Sequence, residues 1–254
     1  MSEPAVKVKA DDVAGLFRKE IQDIVAKMRL KGIVPLLVGF LANGDIAAKK
    51  YAEWTGKACE ADGIKFEVRE VDKMDLESAL TAANRDPLVH GIMIYYPCFG
   101  AAPSFYGGNM DDYLRDSVPI EKDVEGLCHT YRHHLYHNIR YIDNEDVQFS
   151  GGISRPRENG LSGTKKSLLP CTPLAIIKLM EYLKVYDETL PLGNRMAGKN
   201  VVVINRSEIV GRPLAAMLAN DGADVYSVDL NGVFLMRRGK MLEADDAQEG
   251  LIRK

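Results

Sequence analysis

Residues 201–229 constrain the fold more than any other stretch, because their pattern predicts a strand, a loop, a helix and a second strand. Branched aliphatic residues dominate positions 201–204, a composition typical of a strand buried on both faces. Pro213 suits the first turn of a helix, where its missing N–H would have no partner. The pattern therefore predicts a β-α-β unit with two parallel strands.

A tight loop separates the first strand of this unit from its helix. Free N–H groups and the helix dipole at such a helix N-terminus favour a phosphate group. Asp229, at the tip of the second strand, is placed to accept both hydroxyls of an adenosine ribose, which favours NAD because a 2′-phosphate would be repelled. The G-x-G-x-x-G pattern is incomplete, since Asn205 stands at its first glycine and Gly211 is the one glycine of the loop. An ordinary α/β crossover, with Asp229 as a solvated strand end, therefore stays open.

The first hundred residues also alternate between predicted helices and predicted strands. Helices are predicted over 11–30, 47–61 and 76–83, and strands over 33–41, 65–71 and 89–96. This order favours a parallel sheet, and ligands of such sheets sit beyond the carboxyl ends of the strands. Tyr95, Tyr96 and Pro97 are therefore expected near a cleft. A further helix is predicted over 173–186.

Length and composition narrow the class of protein. A chain of 254 residues can hold one large or two ordinary domains. Its net charge of −3 gives no support for a nucleic-acid or membrane-facing surface. The four cysteines show no C-x-x-C spacing, so neither a disulfide framework nor a thiolate metal site is predicted. No apolar run approaches a membrane span and no targeting segment is recognised, so we expect a cytoplasmic location.

Five segments, in this order, carry a resemblance to a known family. They are residues 47–64 around Tyr51, the strand VHGIMIYYP at 89–97, KDVEG at 122–126, LPCTP at 169–173 and RSEIVG at 206–211. On these segments the chain resembles the methylenetetrahydrofolate dehydrogenase/cyclohydrolase family, and within it the monofunctional NAD-dependent members of fungi. The resemblance covers almost the whole chain.

The resemblance implies an α/β fold with two domains. Residues 1–187 would form a folate-binding catalytic domain with a parallel sheet, and residues 188–254 a partial Rossmann-type NAD-binding domain. The polar stretch 148–166 is interpreted as a mobile insertion. In the family the nucleotide-binding domain continues further, so the chain is expected to be C-terminally truncated. Residues 227–230 are then predicted to be an uncovered sheet edge, and residues 249–254 to belong to a helix.

The activity implied by the resemblance is oxidation of 5,10-methylenetetrahydrofolate to the methenyl cation in one-carbon metabolism, with hydride transfer to NAD. The lone pairs of N5 and N10 expel the hydride, so the protein must orient its ligands rather than supply a strong base. A homodimer is implied if the chain is full length. The alternative is a non-catalytic folate- or partner-binding fragment, because of the missing C-terminal portion.

Catalytic roles are implied for Tyr51, Thr55 and Tyr95. Thr55 stands where bifunctional members carry the lysine of the cyclohydrolase step, which predicts that methenyl hydrolysis is absent. Lys57 cannot replace that lysine, because position i+6 lies ~240° around a helix from Tyr51, while position i+4 lies ~40° around it. Ala48 and Tyr95 likewise replace a serine and a glutamine of bifunctional members.

The remaining site residues also follow from the resemblance. Substrate binding is implied for Tyr51, Tyr95, Pro97, Asp123 and Glu125, with the two carboxylates at the pterin end. NAD binding is implied for Arg206, Ser207, Ile209, Val210 and Gly211 at the pyrophosphate and nearby ribose, and for Asp229 at the adenosine ribose.

Simpler interpretations of these residues stay open. Tyr51 and Thr55 could pack within an amphipathic helix, and Asp123 could be a surface turn residue. No metal is implied, although the i, i+4 spacing of His129, His133 and His137 leaves a zinc site as an alternative.

Overall fold

The computed structural model describes residues 7–142 and 165–242 of a chain that divides into two compact units, Met1–Cys128 and His129–Lys254. The sequence places the domain boundary later, after residue 187. The difference arises because Leu135 and Ile177 share one hydrophobic core with Leu214 of the nucleotide-binding motif. Within the described ranges, no helix is long and apolar enough to cross a membrane.

The first unit alternates helices and strands, as the sequence predicts. Its elements are α1 (Ala10–Leu30), β1 (Leu36–Leu41), α2 (Ile46–Ala61), β2 (Lys65–Glu70), α3 (Leu76–Arg85), β3 (Gly91–Ile94) and α4 (Met110–Asp116). The strands form a parallel sheet in the order β2-β1-β3, which confirms the predicted sheet. The predicted strands over 33–41 and 89–96 are each a few residues too long.

The two faces of this sheet bury different side chains, because successive residues of a strand point to opposite sides. Ile92 and Ile94 of β3 lie in a core with Phe40, Leu80 and Leu114. Met93 and Tyr95 lie in a smaller core with Leu41 of β1 and Ala52 of α2. Two consecutive residues, Ile94 and Tyr95, therefore enter separate cores at the carboxyl end of β3.

Residues 122–125 run along the outer edge of β3 and extend its hydrogen-bond ladder. The Ile92 N–H donates to the Lys122 carbonyl at 2.8 Å. The Lys122 ammonium in turn donates to the carbonyls of Ala83 and Asp86 at the end of α3, at 2.9 and 2.6 Å. The KDVEG segment is thus fixed between the sheet edge and a helix end.

The second unit contains the predicted nucleotide-binding motif. Its elements are α5 (His129–Tyr136), β4 (Tyr141–Ile142), β5 (Lys165–Lys166), α6 (Cys171–Tyr182), β6 (Asn200–Ile204), α7 (Gly211–Asn220), β7 (Asp224–Asp229), β8 (Gly232–Arg237) and β9 (Lys240–Leu242). β6 and β7 are parallel and joined through α7, which confirms the β-α-β unit. The helix predicted over 173–186 begins and ends earlier, as α6.

The prediction of an uncovered sheet edge at residues 227–230 is wrong. β8 pairs antiparallel with β7, with Val228 opposite Val233 and Asp229 opposite Gly232. The chain reverses tightly at residues 230–231, and Gly232 has a φ of 107°, which favours glycine. β9 then extends the sheet to the order β6-β7-β8-β9.

Two further predictions concern the burial of β6 and the stretches 148–166 and 249–254. β6 was predicted to be buried on both faces, but Val203 is buried while the Ile204 side chain is 80% exposed, so this prediction is wrong for the described chain. Residues 249–254 and most of the 148–166 stretch lie outside the described residues. The last two residues of that stretch form β5, which pairs with β4.

Leu80→Ala tests how tightly α3 packs on the first sheet. Leu80 is 1% exposed, and its truncation should lower the free energy of unfolding by about 2–5 kcal/mol through lost burial and a cavity. Urea unfolding is followed by the fluorescence of Trp54, the single tryptophan of the sequence. Leu30→Ala, at an exposed position, is the control and should change stability by less than about 0.5 kcal/mol. Equal effects of the two variants would contradict this packing.

Candidate functional site

In the first unit, α2 and the end of β3 bring two predicted substrate residues together. α2 begins after Asp45, whose carboxylate accepts the Ala47 N–H at 2.9 Å and so caps the helix. Tyr51 and Tyr95 make an edge-to-face contact with ring centres 5.4 Å apart. Tyr51 is 51% exposed and Tyr95 is 3% exposed, so the pair offers one accessible ring supported by one buried ring.

Thr55 lies one turn after Tyr51 and donates its hydroxyl to the Tyr51 carbonyl at 2.9 Å. The Tyr95 hydroxyl is buried and makes no hydrogen bond of normal geometry within the described residues. Burial raises the pKa of Tyr95 to about 12, against a smaller lowering by the neighbouring Thr55 hydroxyl. Tyr95 therefore presents a neutral phenol at physiological pH, which can donate a hydrogen bond but is a poor base.

The loop that follows Tyr95 is fixed from two sides. The Asn43 amide donates to the carbonyls of Tyr95 and Pro97 at 2.9 and 2.8 Å. The buried Asp111 carboxylate accepts the N–H groups of residues 98, 99 and 100 at 2.9–3.3 Å. Both residues were missed from the sequence. Their signal is weak, because an Asn after a strand and an Asp in a first helical turn are common.

Asp123 is buried and closes the turn of the KDVEG segment. Its two carboxylate oxygens accept four backbone N–H groups, from residues 125 to 128, at 2.8–3.0 Å. The interpretation of Asp123 as a surface turn residue is thus half right, since it forms a turn but lies in the interior. Because each of its carboxylate oxygens already accepts two hydrogen bonds, Asp123 is a weaker candidate for a substrate ligand than Glu125.

Glu125 places its carboxylate at the end of β3. Its Oε2 atom accepts the Ile94 N–H at 3.0 Å, which continues the ladder that Ile92 begins with Lys122. The residue retains some exposed surface, yet burial of its carboxyl group raises its pKa to about 8. The nearby Asp123 charge adds to this rise, and the Ile94 N–H and the Arg115 charge oppose it. Glu125 can therefore change charge near neutral pH.

In the second unit, the loop between β6 and α7 is held by a close backbone approach. Asn205 has a φ of 144°, in a region that favours glycine, and its side chain accepts the Ser207 N–H at 2.7 Å. A Cβ atom on Gly211 would lie 1.9 Å from the Asn205 carbonyl oxygen. Gly211 is therefore required for this loop, even though the full glycine pattern is absent. A cradle that only glycine fits is consistent with the phosphate-binding loop that NAD needs.

Ser207 lies in the loop just before α7, which begins at Gly211. Its hydroxyl accepts the N–H groups of Val210 and Gly211 at 3.2 and 3.4 Å, and its carbonyl accepts the Arg212 N–H at 3.0 Å. The half-buried residues Ile209 and Val210 complete the turn. The serine hydroxyl thus stands where the sequence predicts a phosphate group, next to the helix N-terminus.

Arg206 is turned toward the β7–β8 hairpin in the structure. Its guanidinium donates to the carbonyls of Ser227 and Gly232 at 2.9 and 2.8 Å and lies 4.3 Å from the ring centre of Phe234. Arg206 therefore supports the strand that ends in Asp229, rather than pointing free toward the predicted pyrophosphate position. Asp229 is partly exposed at the carboxyl end of β7.

Two histidines of α5 and His137, just after its end, form a stacked row rather than a chelating group. The rings of His133 and His137 have centres 4.1 Å apart, and those of His129 and His133 are 6.2 Å apart. In the part of the chain that the structure describes, no three metal-ligating side chains are grouped to hold an ion. The zinc alternative therefore gains no support from the described geometry.

Known proteins share both the sequence and the fold of this chain. The catalytic-domain model of the tetrahydrofolate dehydrogenase/cyclohydrolase family matches residues 8–125, and the model of its NAD(P)-binding domain matches residues 170–238. A Saccharomyces cerevisiae protein named methylenetetrahydrofolate dehydrogenase (NAD+) is 50% identical over 246 residues, covering 96% of this chain and 69% of that protein. A Dictyostelium discoideum protein of the same name is 45% identical, over a match that covers 92% of this chain and 66% of the Dictyostelium protein.

Solved structures agree with these relatives. The NAD-dependent 5,10-methylenetetrahydrofolate dehydrogenase from Saccharomyces cerevisiae has a TM-score of 0.80 at 45% identity, covering 98% of this chain and 75% of that one. The bifunctional enzyme FolD from Campylobacter jejuni has a TM-score of 0.64 at 27% identity, covering 87% of this chain and 65% of that one. The chain therefore belongs to the tetrahydrofolate dehydrogenase/cyclohydrolase family.

Proposed function

We propose that this chain is an NAD-dependent methylenetetrahydrofolate dehydrogenase of one-carbon metabolism. The observation that carries the proposal is the meeting of the Tyr51–Tyr95 ring pair and the Glu125 carboxylate at the end of β3. Relatives that are 45–50% identical carry this name, which supports both the substrate and the cofactor. The homodimer and the cytoplasmic location expected from the sequence stay predictions.

The first unit supplies orientation rather than acid–base chemistry. Tyr51 offers its ring to a flat pterin, and the neutral Tyr95 hydroxyl is a hydrogen-bond donor. The ionised Glu125 carboxylate can accept N–H donors of the pterin. Since the lone pairs of N5 and N10 expel the hydride, no strong base is required. NAD, when bound, supplies the hydride acceptor.

The second unit contains the two features that fit NAD, the loop before α7 and Asp229. The Asn205–Gly211 contact and the Ser207 hydroxyl shape the loop before α7 for a pyrophosphate. Asp229 favours a ribose with two free hydroxyls and repels a 2′-phosphate. The loop fits the pyrophosphate that NAD and NADP share, so the selection of NAD depends on Asp229.

The first test is NADH formation from 5,10-methylenetetrahydrofolate by the 254-residue chain, with NADP in parallel. We expect turnover with NAD and little with NADP, because Asp229 repels a 2′-phosphate. Asp229→Ser removes that repulsion and should narrow the preference for NAD, while Asp224→Ser, at the other end of β7, should not. Folate binding without turnover with either cofactor would instead support the non-catalytic alternative.

Gly211→Ala tests the NAD site separately from the folate site. A methyl group 1.9 Å from the Asn205 carbonyl must displace the loop, so we expect the KM for NAD to rise by about tenfold or more. The KM for the folate substrate should stay unchanged. Gly15→Ala is the matched control, since nothing lies within 4 Å of the Cβ it would add. Unchanged NAD binding in Gly211→Ala would count against this loop as the cofactor site.

Thr55→Lys tests the proposed absence of cyclohydrolase activity. Position 55 lies one turn from Tyr51 and beside Tyr95, so a lysine there should introduce measurable hydrolysis of 5,10-methenyltetrahydrofolate. Glu53→Lys adds the same side chain at an exposed position of α2 and should introduce none. If Thr55→Lys retains dehydrogenase activity but shows no hydrolysis, more than one lysine separates this site from a bifunctional one.

A further inference from the structure

The guanidinium of Arg206 is bound to both strands of the β7–β8 hairpin. Its Nη2 atom donates to the carbonyls of Ser227 on β7 and Gly232 on β8, at 2.9 and 2.8 Å. Its Nε atom donates to the Ser227 hydroxyl at 3.3 Å, and its Cζ atom lies 4.3 Å from the ring centre of Phe234 on β8. Because a guanidinium is a rigid planar fork, these contacts fix the two strands relative to each other.

The backbone before Arg206 brings this side chain to the hairpin. The Asn205 N–H donates to the Val228 carbonyl at 3.0 Å, which extends the pairing of β6 with β7 by one residue. Arg206 therefore leaves the sheet beside the last residues of β7, within reach of the hairpin.

Asp229 lies next to the contacts of Arg206. Its cross-strand partner is Gly232, whose carbonyl Arg206 binds. Ser227 precedes Asp229 by two residues and faces the same side of β7, because the side chains of a strand alternate. The Asp229 carboxylate accepts the Leu230 N–H at 2.6 Å, where the chain begins to reverse. One guanidinium therefore binds residues before and opposite Asp229.

We propose that Arg206 is a positioning residue for cofactor selection, which ties the two strands of the hairpin and so holds Asp229 where it can accept the ribose hydroxyls of NAD. The inference rests on the proposed function. It gives Arg206 a different role from the pyrophosphate contact that the family resemblance implies. Arg206 acts through Asp229 and does not itself contact the cofactor.

A fixed carboxylate favours NAD over NADP in two ways. It accepts the ribose hydroxyls without a further cost of ordering, which increases the affinity for NAD. It also keeps its charge where a 2′-phosphate would lie, which lowers the affinity for NADP. Loosening the hairpin should therefore lower the ratio of kcat/KM with NAD to kcat/KM with NADP. This ratio is termed the cofactor selectivity.

Arg206→Gln removes the fork and its charge. We expect the cofactor selectivity to fall by about tenfold, the effect of one lost hydrogen bond to a charged group. Other roles of Arg206 predict other results. A pyrophosphate ligand serves NAD and NADP alike, so its loss would leave the selectivity unchanged. Loss of a ligand of the 2′-phosphate would raise the selectivity.

Arg237→Gln is the matched control. Arg237 also links β8 to β7, through two hydrogen bonds of 2.8 Å to the Asp224 carboxylate, at the opposite end of the paired strands from Asp229. Its removal takes a comparable contact from the same pair of strands, so it reports on a general loosening of the sheet. The cofactor selectivity should stay unchanged in this variant.

A double-mutant cycle tests whether Arg206 acts through Asp229. In Asp229→Ser the carboxylate is absent, so the addition of Arg206→Gln should change the selectivity by less than about twofold. A fall as large as the one in the unaltered chain would mean that Arg206 acts on the cofactor by another route, and would overturn the proposal.

Phe234→Leu is a second variant, which leaves the hydrogen-bonding groups of Arg206 in place and removes the ring beside its guanidinium. The selectivity should fall by about threefold, the size of one exposed cation–π contact. This variant decides the proposal if Arg206→Gln does not fold, which circular dichroism would show. An unchanged selectivity in Phe234→Leu would then overturn it.

Binding of NADH and NADPH, followed by nicotinamide fluorescence, gives the selectivity as a ratio of Kd values without turnover, and the same shifts are expected there. The proposal is overturned if folded Arg206→Gln keeps or raises the selectivity, or if Arg237→Gln lowers it as far as Arg206→Gln does. Failure of the proposed function is distinguishable, since the unaltered chain would then show no turnover with either cofactor. If the unaltered chain also bound neither cofactor, the proposed function and this inference would both be overturned.

Discussion

The hydrogen bonds along the outer edge of β3 are the interaction on which the first unit's candidate site depends. The backbone of Ile92 bonds to Lys122, and that of Ile94 bonds to the side chain of Glu125. A carboxylate thus takes the place of the next ladder carbonyl, which fixes its position relative to Tyr95, one residue farther along the chain. An aspartate side chain would be one methylene shorter. The length of the glutamate at position 125 is therefore what lets its carboxylate reach the Ile94 N–H.

Buried carboxylates in this unit fall into two kinds. Asp111 and Asp123 each accept several backbone N–H groups, and these hydrogen bonds fix the conformation of a loop. Among the described residues Glu125 accepts one backbone N–H, that of Ile94, and burial raises its pKa to about 8. A buried acid with so few partners is costly to ionise. A carboxyl group whose pKa is raised this far by burial is common at functional sites.

The sequence predicts the order of elements well, because the alternation of helices and strands is encoded locally in the periodicity of apolar residues. It fails where long-range contacts decide the outcome. The β8 hairpin was missed because pairing of Val233 with Val228 depends on a reversal that the residue pattern signals weakly. The exposure of Ile204 was missed because a β-branched run does not tell which face is covered. Tyr51, Tyr95 and Glu125 were predicted as site residues from motifs, whereas Asn43 and Asp111, which fix the loop after Tyr95, carry only weak local signals.

On the proposed function, Arg206 serves the second unit indirectly. Its guanidinium ties the Ser227 carbonyl to the Gly232 carbonyl, one on each strand of the β7–β8 hairpin. Asp229 lies between these two positions and is therefore held at the end of β7 by contacts on both sides. A carboxylate held in place rejects a 2′-phosphate better than a mobile one, because it cannot turn away from the added charge. Selection of NAD in this chain thus depends on the hairpin that supports the acid as much as on the acid itself.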